Sequence, residues 1–229
     1  MADALITASG LTRFYDSGEL KVAALDGVDL SIERGAYVVL AGRSGSGKTT
    51  LLNMLGGLDR PDSGALSIAD QDLLSMSATD RAGFRLHHLG FVFQSYNLIR
   101  VLSARENVAY VLQLQGMDKK QRFALADQWL AKVELSGFEN RRPDQMSGGQ
   151  QQRVAVARAL AANPDLVLAD EPTANLDSHT GESLMALMRK LNEEQGTTFV
   201  IASHDPAVIA SARTLITMQD GQISSVKVM

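Results

Sequence analysis

The chain has 229 residues, which fits one large domain or two small ones, and 22 Lys+Arg against 26 Asp+Glu give a net charge of −4. This balance argues against a protein held mainly by nucleic acid or anionic lipid. With 45% hydrophobic and 21% charged residues, a disordered or fibrous chain is excluded. The absence of cysteine excludes disulfides, thiol catalysis and Cys-ligated zinc. We find no secretion signal and no run of about 18 apolar residues, so we expect no membrane span.

Short apolar runs alternate with helical patterns along most of the chain, a pattern typical of a parallel sheet covered by helices on both faces. The clearest buried strands are predicted at Tyr37 to Ala41, Leu166 to Ala169 and Phe199 to Ala202. Two earlier segments, Leu5 to Phe14 and Val22 to Ile32, with a turn at Asp16 to Gly18, predict a small antiparallel β subdomain. Leu215 to Val228 predicts a closing hairpin across Asp220 and Gly221.

From about Leu98 to Ala161 helix signals replace strand signals. Ser103 and Glu106 have the spacing of a capping box and precede apolar residues at helical spacing. A second helix is predicted from Lys119 to Lys132. We interpret residues 98–161 as a helical subdomain inserted into the α/β core.

The strongest motif is a phosphate-binding loop. Gly42-Arg43-Ser44-Gly45-Ser46-Gly47-Lys48-Thr49 fits G-x-x-x-x-G-K-[ST] directly after a predicted strand and before a helical run that starts at Thr50. The glycines let backbone N–H groups turn toward a polyphosphate, and the helix N-terminus adds partial positive charge. Lys48 adds a full charge, and Thr49 can ligate Mg²⁺. A strand-to-helix turn without a ligand is the alternative.

A second candidate lies at the end of the strand Leu166 to Ala169, where Asp170 and Glu171 follow. Ligands bind at the C-terminal ends of parallel strands, and alternation sends the two side chains in different directions. Asp170 could therefore face Mg²⁺ while Glu171 faces a water that attacks the γ-phosphate. On its own this pattern is more often a strand that enters a polar loop, and the upstream phosphate loop reverses that preference.

A third motif is Ser147-Gly148-Gly149-Gln150, which has capping-box spacing before the helical run Gln151 to Ala162. A capped helix needs neither glycine, and each weakens a helix by up to about 1 kcal/mol relative to Ala. Two glycines therefore indicate a close backbone approach, and the open helix N-terminus indicates a second phosphate-binding surface.

Together these motifs resemble those of the nucleotide-binding subunits of ATP-binding cassette (ABC) transporters, over essentially the whole chain. Gly42 to Thr49 resembles the Walker A loop, Met146 to Gln150 the signature sequence and Asp170-Glu171 the Walker B end, in the family's order. The resemblance implies a single domain over residues 1–229. Its expected fold is an α/β P-loop NTPase core with a mostly parallel sheet, an N-terminal antiparallel β subdomain and the inserted helical subdomain.

Several residues are weak functional signals when taken singly but match positions of the family motifs. Gln94 resembles the glutamine that touches Mg²⁺ and couples to the membrane partner, while Ala174 to Asp177 and His204 resemble the D-loop and the switch histidine. Tyr15 matches the aromatic that stacks on adenine, with packing inside the β subdomain as the alternative. The family pattern is not copied in full, because Met146, Arg43 and Ala174 replace commoner residues without removing a catalytic group.

The roles that the resemblance implies form three sets. The candidate catalytic residues are Lys48, Gln94, Glu171 and His204. The candidate nucleotide-binding residues are Tyr15, Gly42, Arg43, Ser44, Gly45, Ser46, Gly47, Lys48, Thr49, Thr50, Ser147, Gly148, Gly149, Gln150 and Asp177. The candidate Mg²⁺ ligands are Thr49, Gln94 and Asp170.

The resemblance also implies partners. The signature end of one subunit is expected to complete the phosphate loop of another, so hydrolysis needs a head-to-tail homodimer with two ATP molecules. An integral membrane permease is expected to dock near Gln94 and residues 98–135, placing the chain at the cytoplasmic face of the cell membrane. Three sequence motifs resemble those of the macrolide-exporter and lipoprotein-release group: Gly56 to Asp59, Phe91 to Leu98 and Glu171 to Asp177. This resemblance favours export or mechanotransmission. Two alternatives stay open: a nucleotide-gated scaffold of the cell-division type, and an ABC ATPase of DNA repair or translation without a permease.

Overall fold

The computed structural model describes residues 4–17 and 20–229. Within them, ten strands and seven α-helices follow one another: β1 (Ala4–Ser17), β2 (Leu20–Glu33), β3 (Tyr37–Ala41), α1 (Lys48–Leu55), β4 (Ser63–Ile68), β5 (Gln71–Asp72), α2 (Ala78–His88), β6 (Leu89–Phe93), α3 (Ala104–Leu114), α4 (Lys119–Lys132), α5 (Gly148–Ala161), β7 (Leu166–Asp170), α6 (Ser178–Gln195), β8 (Thr198–Ser203), α7 (Pro206–Ala210), β9 (Thr214–Gln219) and β10 (Gln222–Val228). A 3₁₀ turn, Pro143–Gln145, precedes α5.

The larger sheet has six strands in the order β10-β9-β3-β8-β7-β6, and only β10 runs antiparallel to its neighbour. This confirms the mostly parallel α/β fold and the closing hairpin. The register aligns Ala41 with Ser203 and Asp170 with Ala202 and Phe93. The C-terminal ends of four neighbouring strands therefore meet at one edge, where ligands bind in such sheets.

Alternation along the buried strands divides the core in two. On β3, Tyr37 and Val39 face a cluster with helices α3, α4, α5 and α6, whereas Val38 and Leu40 face α1 and the smaller sheet. Both clusters consist of apolar side chains that are almost entirely buried. Burial on both faces explains why the central strands are continuous apolar runs.

The smaller sheet is antiparallel, with the order β2-β1-β4-β5, and confirms the predicted pairing of the first two long segments. The predicted turn extends to Gly18, which lies outside the described residues. Strands β4 and β5 are missing from the sequence prediction. Gly64 in β4 explains its weak signal: it has φ +107° and lies so close to the carbonyl of Gly10 that a Cβ atom would clash.

Three helices and the 3₁₀ turn, without a strand, occupy the fully described stretch between β6 and β7. Helix α3 begins at the predicted capping box of Ser103 with Glu106, and α4 has the predicted bounds. Helix α5 packs against α3, α4 and strand β6. The first three residues of α5 are partly exposed, whereas Gln152 and residues 154–157 in its middle are buried.

Candidate active site

The loop between β3 and α1 leaves the N-terminus of α1 without a side-chain cap. Gly47 stands at the N-cap with φ +101°, and the first turn of α1 contains no acidic residue. The six other described α-helices each begin at a serine or aspartate whose side chain accepts a backbone N–H. The free N–H groups of α1 and its dipole therefore favour an anion.

Lys48 lies inside this loop. Its Nζ atom donates to the carbonyl oxygens of Gly42 at 2.8 Å and Arg43 at 3.2 Å, and the residue is only 7% exposed. Gly42 admits no larger residue, because a Cβ atom there would lie 2.4 Å from Ser46 Oγ. The loop thus holds an ammonium group beside the uncapped helix end.

An open cavity of about 430 Å³ brings most of the predicted residues together. Its lining contains Ala24, Ser44, Gly45, Ser46, Gly47, Lys48, Thr49, Thr50, Gln94, Glu171 and His204. The sequence analysis did not identify Ala24, which reaches the loop from β2 through the tertiary fold. A phosphate loop after a buried parallel strand, with an uncapped helix and a lysine, defines a P-loop nucleotide-binding protein.

Asp170 lies beside Thr49, whose hydroxyl donates to Asp170 Oδ1 at 3.3 Å. Burial raises the pKa of Asp170 above its usual range, and the neighbouring Glu171 carboxylate adds to this effect. The hydrogen bond from Thr49 and the charge of Lys48 oppose the rise in pKa. A half-buried carboxylate with this environment is favourable for binding a cation.

Glu171 occupies a constrained position at the start of the loop after β7. Its φ of +45° is unusual for a residue with a side chain, and its N–H donates to Ala202 O. Oε1 lies 2.7 Å from His204 Nδ1, and Oε2 accepts a hydrogen bond of 3.0 Å from Ser203 Oγ. Glu171 and His204, two separately predicted catalytic candidates, are therefore in direct contact. Ser203, which the sequence analysis did not identify, contacts the same carboxylate.

Side chains from α5 and from the loop after β7 hold the backbone around Gln94. Asn175 Nδ2 donates to Gln94 O, and the fully buried Gln152 donates to both Phe93 O and Pro172 O. Arg158 donates to the carbonyls of Tyr96 and Asn97, and burial lowers its pKa. Sequence reasoning missed these contacts.

The signature motif at the start of α5 forms the predicted capping box, in which Ser147 and Gln150 accept each other's backbone N–H groups. The two glycines are explained by close packing: a Cβ atom on Gly148 would lie 2.7 Å from Tyr96 Oη, and one on Gly149 would lie 2.4 Å from Thr180 Cγ2. This confirms the close approach inferred from the sequence. The motif does not line the phosphate cavity of its own chain.

We expect Gly149→Ala to destabilise the chain, because overpacking against Thr180 costs about 1–3 kcal/mol, more than the helix gain of up to about 1 kcal/mol. Thr180→Ser removes the clashing methyl group and keeps the hydroxyl that donates to Asp177. Denaturant unfolding measures the free energies, and the double variant is expected to recover stability. Gly83→Ala in α2, where a Cβ atom meets nothing within 4 Å, is the control and is expected to be neutral or stabilising. Equal effects of both alanine variants would contradict this prediction.

The remaining candidates lie outside the phosphate cavity. The half-exposed Tyr15 donates to Asp59 Oδ2 at 2.9 Å, and the guanidinium of Arg13 covers its ring. The Arg43 side chain is exposed, and only the backbone carbonyl oxygen of Arg43 accepts a hydrogen bond from Lys48. Asp177 caps α6, and its hydrogen bonds with Thr180 lower its pKa. Asp177 also lines a larger cavity of about 680 Å³ between α6 and α7, which contains none of the phosphate-loop residues.

Comparison with known proteins identifies the family. A family model described as "ABC transporter" matches residues 25–174. The lipoprotein-releasing system ATP-binding protein LolD of Chromohalobacter salexigens is 43% identical over 220 residues, which cover 96% of this chain and 93% of LolD. The macrolide export ATP-binding/permease protein MacB of Chromobacterium violaceum is 45% identical over 223 residues, or 97% of this chain and 34% of MacB. The chain thus spans about a third of the MacB relatives.

A solved structure agrees with these relatives. The ATP-binding cassette MJ0796, in a dimeric post-hydrolysis state bound to ADP and Pi, superposes with a TM-score of 0.90 and 41% identity. The match covers 97% of this chain and 98% of that cassette. The chain belongs to the ABC transporter family and is an ATP-binding, ATP-hydrolysing member of it. No described helix has the length and apolar character needed to cross a bilayer.

Proposed function

We propose that this chain is the ATPase subunit of a membrane complex and that it hydrolyses ATP at the cavity formed by the phosphate loop, Gln94, Glu171 and His204. One observation carries the assignment. The only described α-helix without a side-chain cap opens into this cavity next to Lys48, opposite a carboxylate in contact with a histidine. Such an arrangement supports binding of a polyphosphate beside a group that can accept a proton.

The chemistry follows from the positions of the side chains. The free N–H groups of α1 and the Lys48 ammonium stabilise negative charge on the β- and γ-phosphates. Glu171 accepts a proton from the attacking water. His204 contacts this carboxylate and is proposed to turn toward the γ-phosphate when ATP is bound. In this proposal the rest of the nucleotide contacts Tyr15, Gly42, Arg43 and the loop up to Thr50.

The oxygen donors at the cavity fit a magnesium ion. The Thr49 hydroxyl, the Asp170 carboxylate and the Gln94 amide are hard ligands of the kind that Mg²⁺ prefers. The described residues contain no cluster of three His, Cys, Asp or Glu, so phosphate oxygens and waters would supply the remaining ligands. When bound, Mg²⁺ supplies charge neutralisation on the transferred phosphate.

Asp170→Asn is expected to raise the stability of the nucleotide-free chain and to abolish Mg²⁺-dependent hydrolysis. Because the folded state raises the pKa of Asp170, its ionisation costs stability as pH rises from the usual carboxyl value through the raised value. The asparagine variant without nucleotide should melt at a higher temperature than the parent at pH 7 and equally at pH below 4, while Mg²⁺-dependent hydrolysis is lost.

Thermal melts across pH 3–8 and a Mg²⁺ titration of ATP hydrolysis measure these effects. Asp72→Asn in β5 is the control, since it keeps the acceptor for Leu74 N–H and lies outside the cavity. A variant that melts below the parent at pH 7 would contradict the assigned cost of ionisation.

A second copy of the chain completes the site in this proposal. The signature residues Ser147, Gly148, Gly149 and Gln150, together with Asp177, would contact the nucleotide held by the opposite subunit. Their absence from the cavity lining of their own chain supports this arrangement. In the capping box, the N–H groups of Gly148 and Gly149 are not used by Ser147 or Gln150, which leaves them for a phosphate.

The output of hydrolysis is proposed to be export or mechanical work by a separate integral membrane permease, with the chain peripheral to the cytoplasmic face of the membrane. The names of LolD and MacB support the proposed work with a permease, since LolD is named as part of a lipoprotein-releasing system and MacB as an ATP-binding/permease protein. A groove lined by Tyr96, Leu98, Arg100 and Asp144 lies beside the backbone segment that follows Gln94. This groove is the proposed docking surface for the permease. The whole chain acts as one ATPase domain, with residues 98–161 as its helical subdomain.

The decisive experiment is affinity purification of tagged Glu171→Gln protein with Mg-ATP from gently solubilised native membranes, followed by mass spectrometry. Recovery of a permease with few spans and a large extracytoplasmic domain would support mechanotransmission. A many-span permease would favour ordinary transport. Recovery of repair or translation components alone would overturn the proposal, and a permease without partner-stimulated turnover would favour the regulatory scaffold.

A further inference from the structure

Ser203 is the last residue of β8 and lies directly before His204. Its side chain is fully buried, and its hydroxyl takes part in two hydrogen bonds. Oγ accepts the N–H of Asp205 at 3.1 Å and donates to Glu171 Oε2 at 3.0 Å. Because a hydroxyl has one proton, and the amide N–H can only donate, this geometry directs the proton to the carboxylate.

The two partners of the Glu171 carboxylate differ in their freedom to move. The His204 side chain is 67% exposed, whereas the Glu171 side chain is 16% exposed and Ser203 is 0% exposed. His204 can therefore turn toward a bound phosphate, but the strand fixes Ser203 in place. Ser203 is the donor that stays with the carboxylate when the histidine leaves.

The backbone around this pair is equally fixed. Glu171 N–H donates to Ala202 O, the residue before Ser203, and Asp170 is in register with Ala202 in the sheet. Asp205 N–H, which Ser203 Oγ accepts, lies at the N-cap of α7. The hydroxyl thus joins three elements: the end of β8, the start of α7 and the loop that carries Glu171.

We propose that Ser203 is a positioning residue for ATP hydrolysis, which holds the Glu171 carboxylate at the orientation needed to accept a proton from the attacking water. The inference rests on the proposed function of Glu171 as the base. A glutamate side chain has several rotamers, and a displacement of about 1 Å from the reacting geometry costs on the order of 100-fold in rate. A buried hydroxyl that selects one rotamer would therefore act on turnover and not on nucleotide affinity.

The test compares Ser203→Ala with Ser203→Thr, which keeps the hydroxyl. We expect Ser203→Ala to lower kcat about 10- to 100-fold with unchanged ATP affinity and unchanged KM, and Ser203→Thr to restore most of the rate. Ser211→Ala is the control, because Ser211 Oγ donates to Val208 O at the end of α7 and does not touch Glu171. Nucleotide binding and thermal melts report whether each variant is folded.

A double variant separates positioning from a structural role. If Ser203 acts through Glu171, then Ser203→Ala lowers hydrolysis in the parent but has no further effect in Glu171→Gln, measured by single-turnover phosphate release. An equal loss in both backgrounds, a kcat equal to the parent, or a loss of ATP affinity with a lower melting temperature would overturn the proposal. If Glu171→Gln itself turns over like the parent, the proposed base is wrong; a slow Glu171→Gln with a normal Ser203→Ala rejects only the role of Ser203.

Discussion

Glu171→Gln is expected to reduce steady-state ATP hydrolysis by about 10²–10⁴-fold while ATP binding is preserved. The amide keeps the shape of the side chain and an oxygen that can accept from Ser203, but it cannot take a proton from water. Because ATP then persists in the site, an ATP-dependent dimer should accumulate. Phosphate release measures the rate, and light scattering coupled to size exclusion in Mg-ATP measures the dimer.

The control for this prediction is Glu182→Gln on α6, an exposed carboxylate outside the phosphate cavity, which should leave hydrolysis unchanged. A Glu171→Gln protein that turns over ATP as fast as the parent would refute the role of Glu171. Slow hydrolysis without any dimer would instead reject the proposal that two chains enclose the nucleotide.

Lys48→Ala is expected to weaken ATP binding by roughly 100-fold or more, since each hydrogen bond from a charged group to phosphate contributes about 1.5–3 kcal/mol. The alanine also removes the hydrogen bonds that link Lys48 Nζ to Gly42 O and Arg43 O. Both changes act on the phosphate loop, so binding and hydrolysis should be lost together. Fluorescent-nucleotide titration measures the affinity.

Lys48→Gln separates the two contributions, because its amide can still donate to a loop carbonyl without carrying a charge. We expect it to melt closer to the parent than Lys48→Ala does, yet to bind ATP nearly as poorly. If the glutamine variant bound ATP like the parent, the charge of Lys48 would not be the source of affinity, and the loop's carbonyl contacts would account for the alanine result.

The parts of the fold that the sequence predicted are those with a local signal. The strand Tyr37–Ala41 is a short run of apolar residues buried on both faces, and α4 begins at an Asp118 cap before Lys119. The phosphate loop and the signature capping box also consist of neighbouring residues. In each case hydrophobic pattern or capping chemistry within a few residues determines the conformation.

The parts that the sequence did not predict depend on residues far apart in the chain. Asn175 reaches Gln94 O across 81 positions, and Gln152 reaches Phe93 O across 59. The strands β4 and β5 are short or polar and are stabilised by pairing with β1 and each other. Ser203 shows the same limit, because nothing in its own neighbourhood indicates that its hydroxyl points at Glu171.

The contacts of α5 with the segment around Gln94 have a mechanical consequence. Gln152 and Arg158 lie six residues apart on one helix and hold the segment at both of its ends, at Phe93 and at Tyr96 and Asn97. With this two-point attachment, a tilt of the helix would move the segment with it. Helix α5 has 14 residues and a length of about 21 Å, so a tilt of about 10° displaces one end by roughly 4 Å relative to the other. The signature glycines lie at the N-terminal end of this helix, and the Gln94 segment is attached further along it. A displacement of the glycines would therefore be transmitted through the helix to the Gln94 segment.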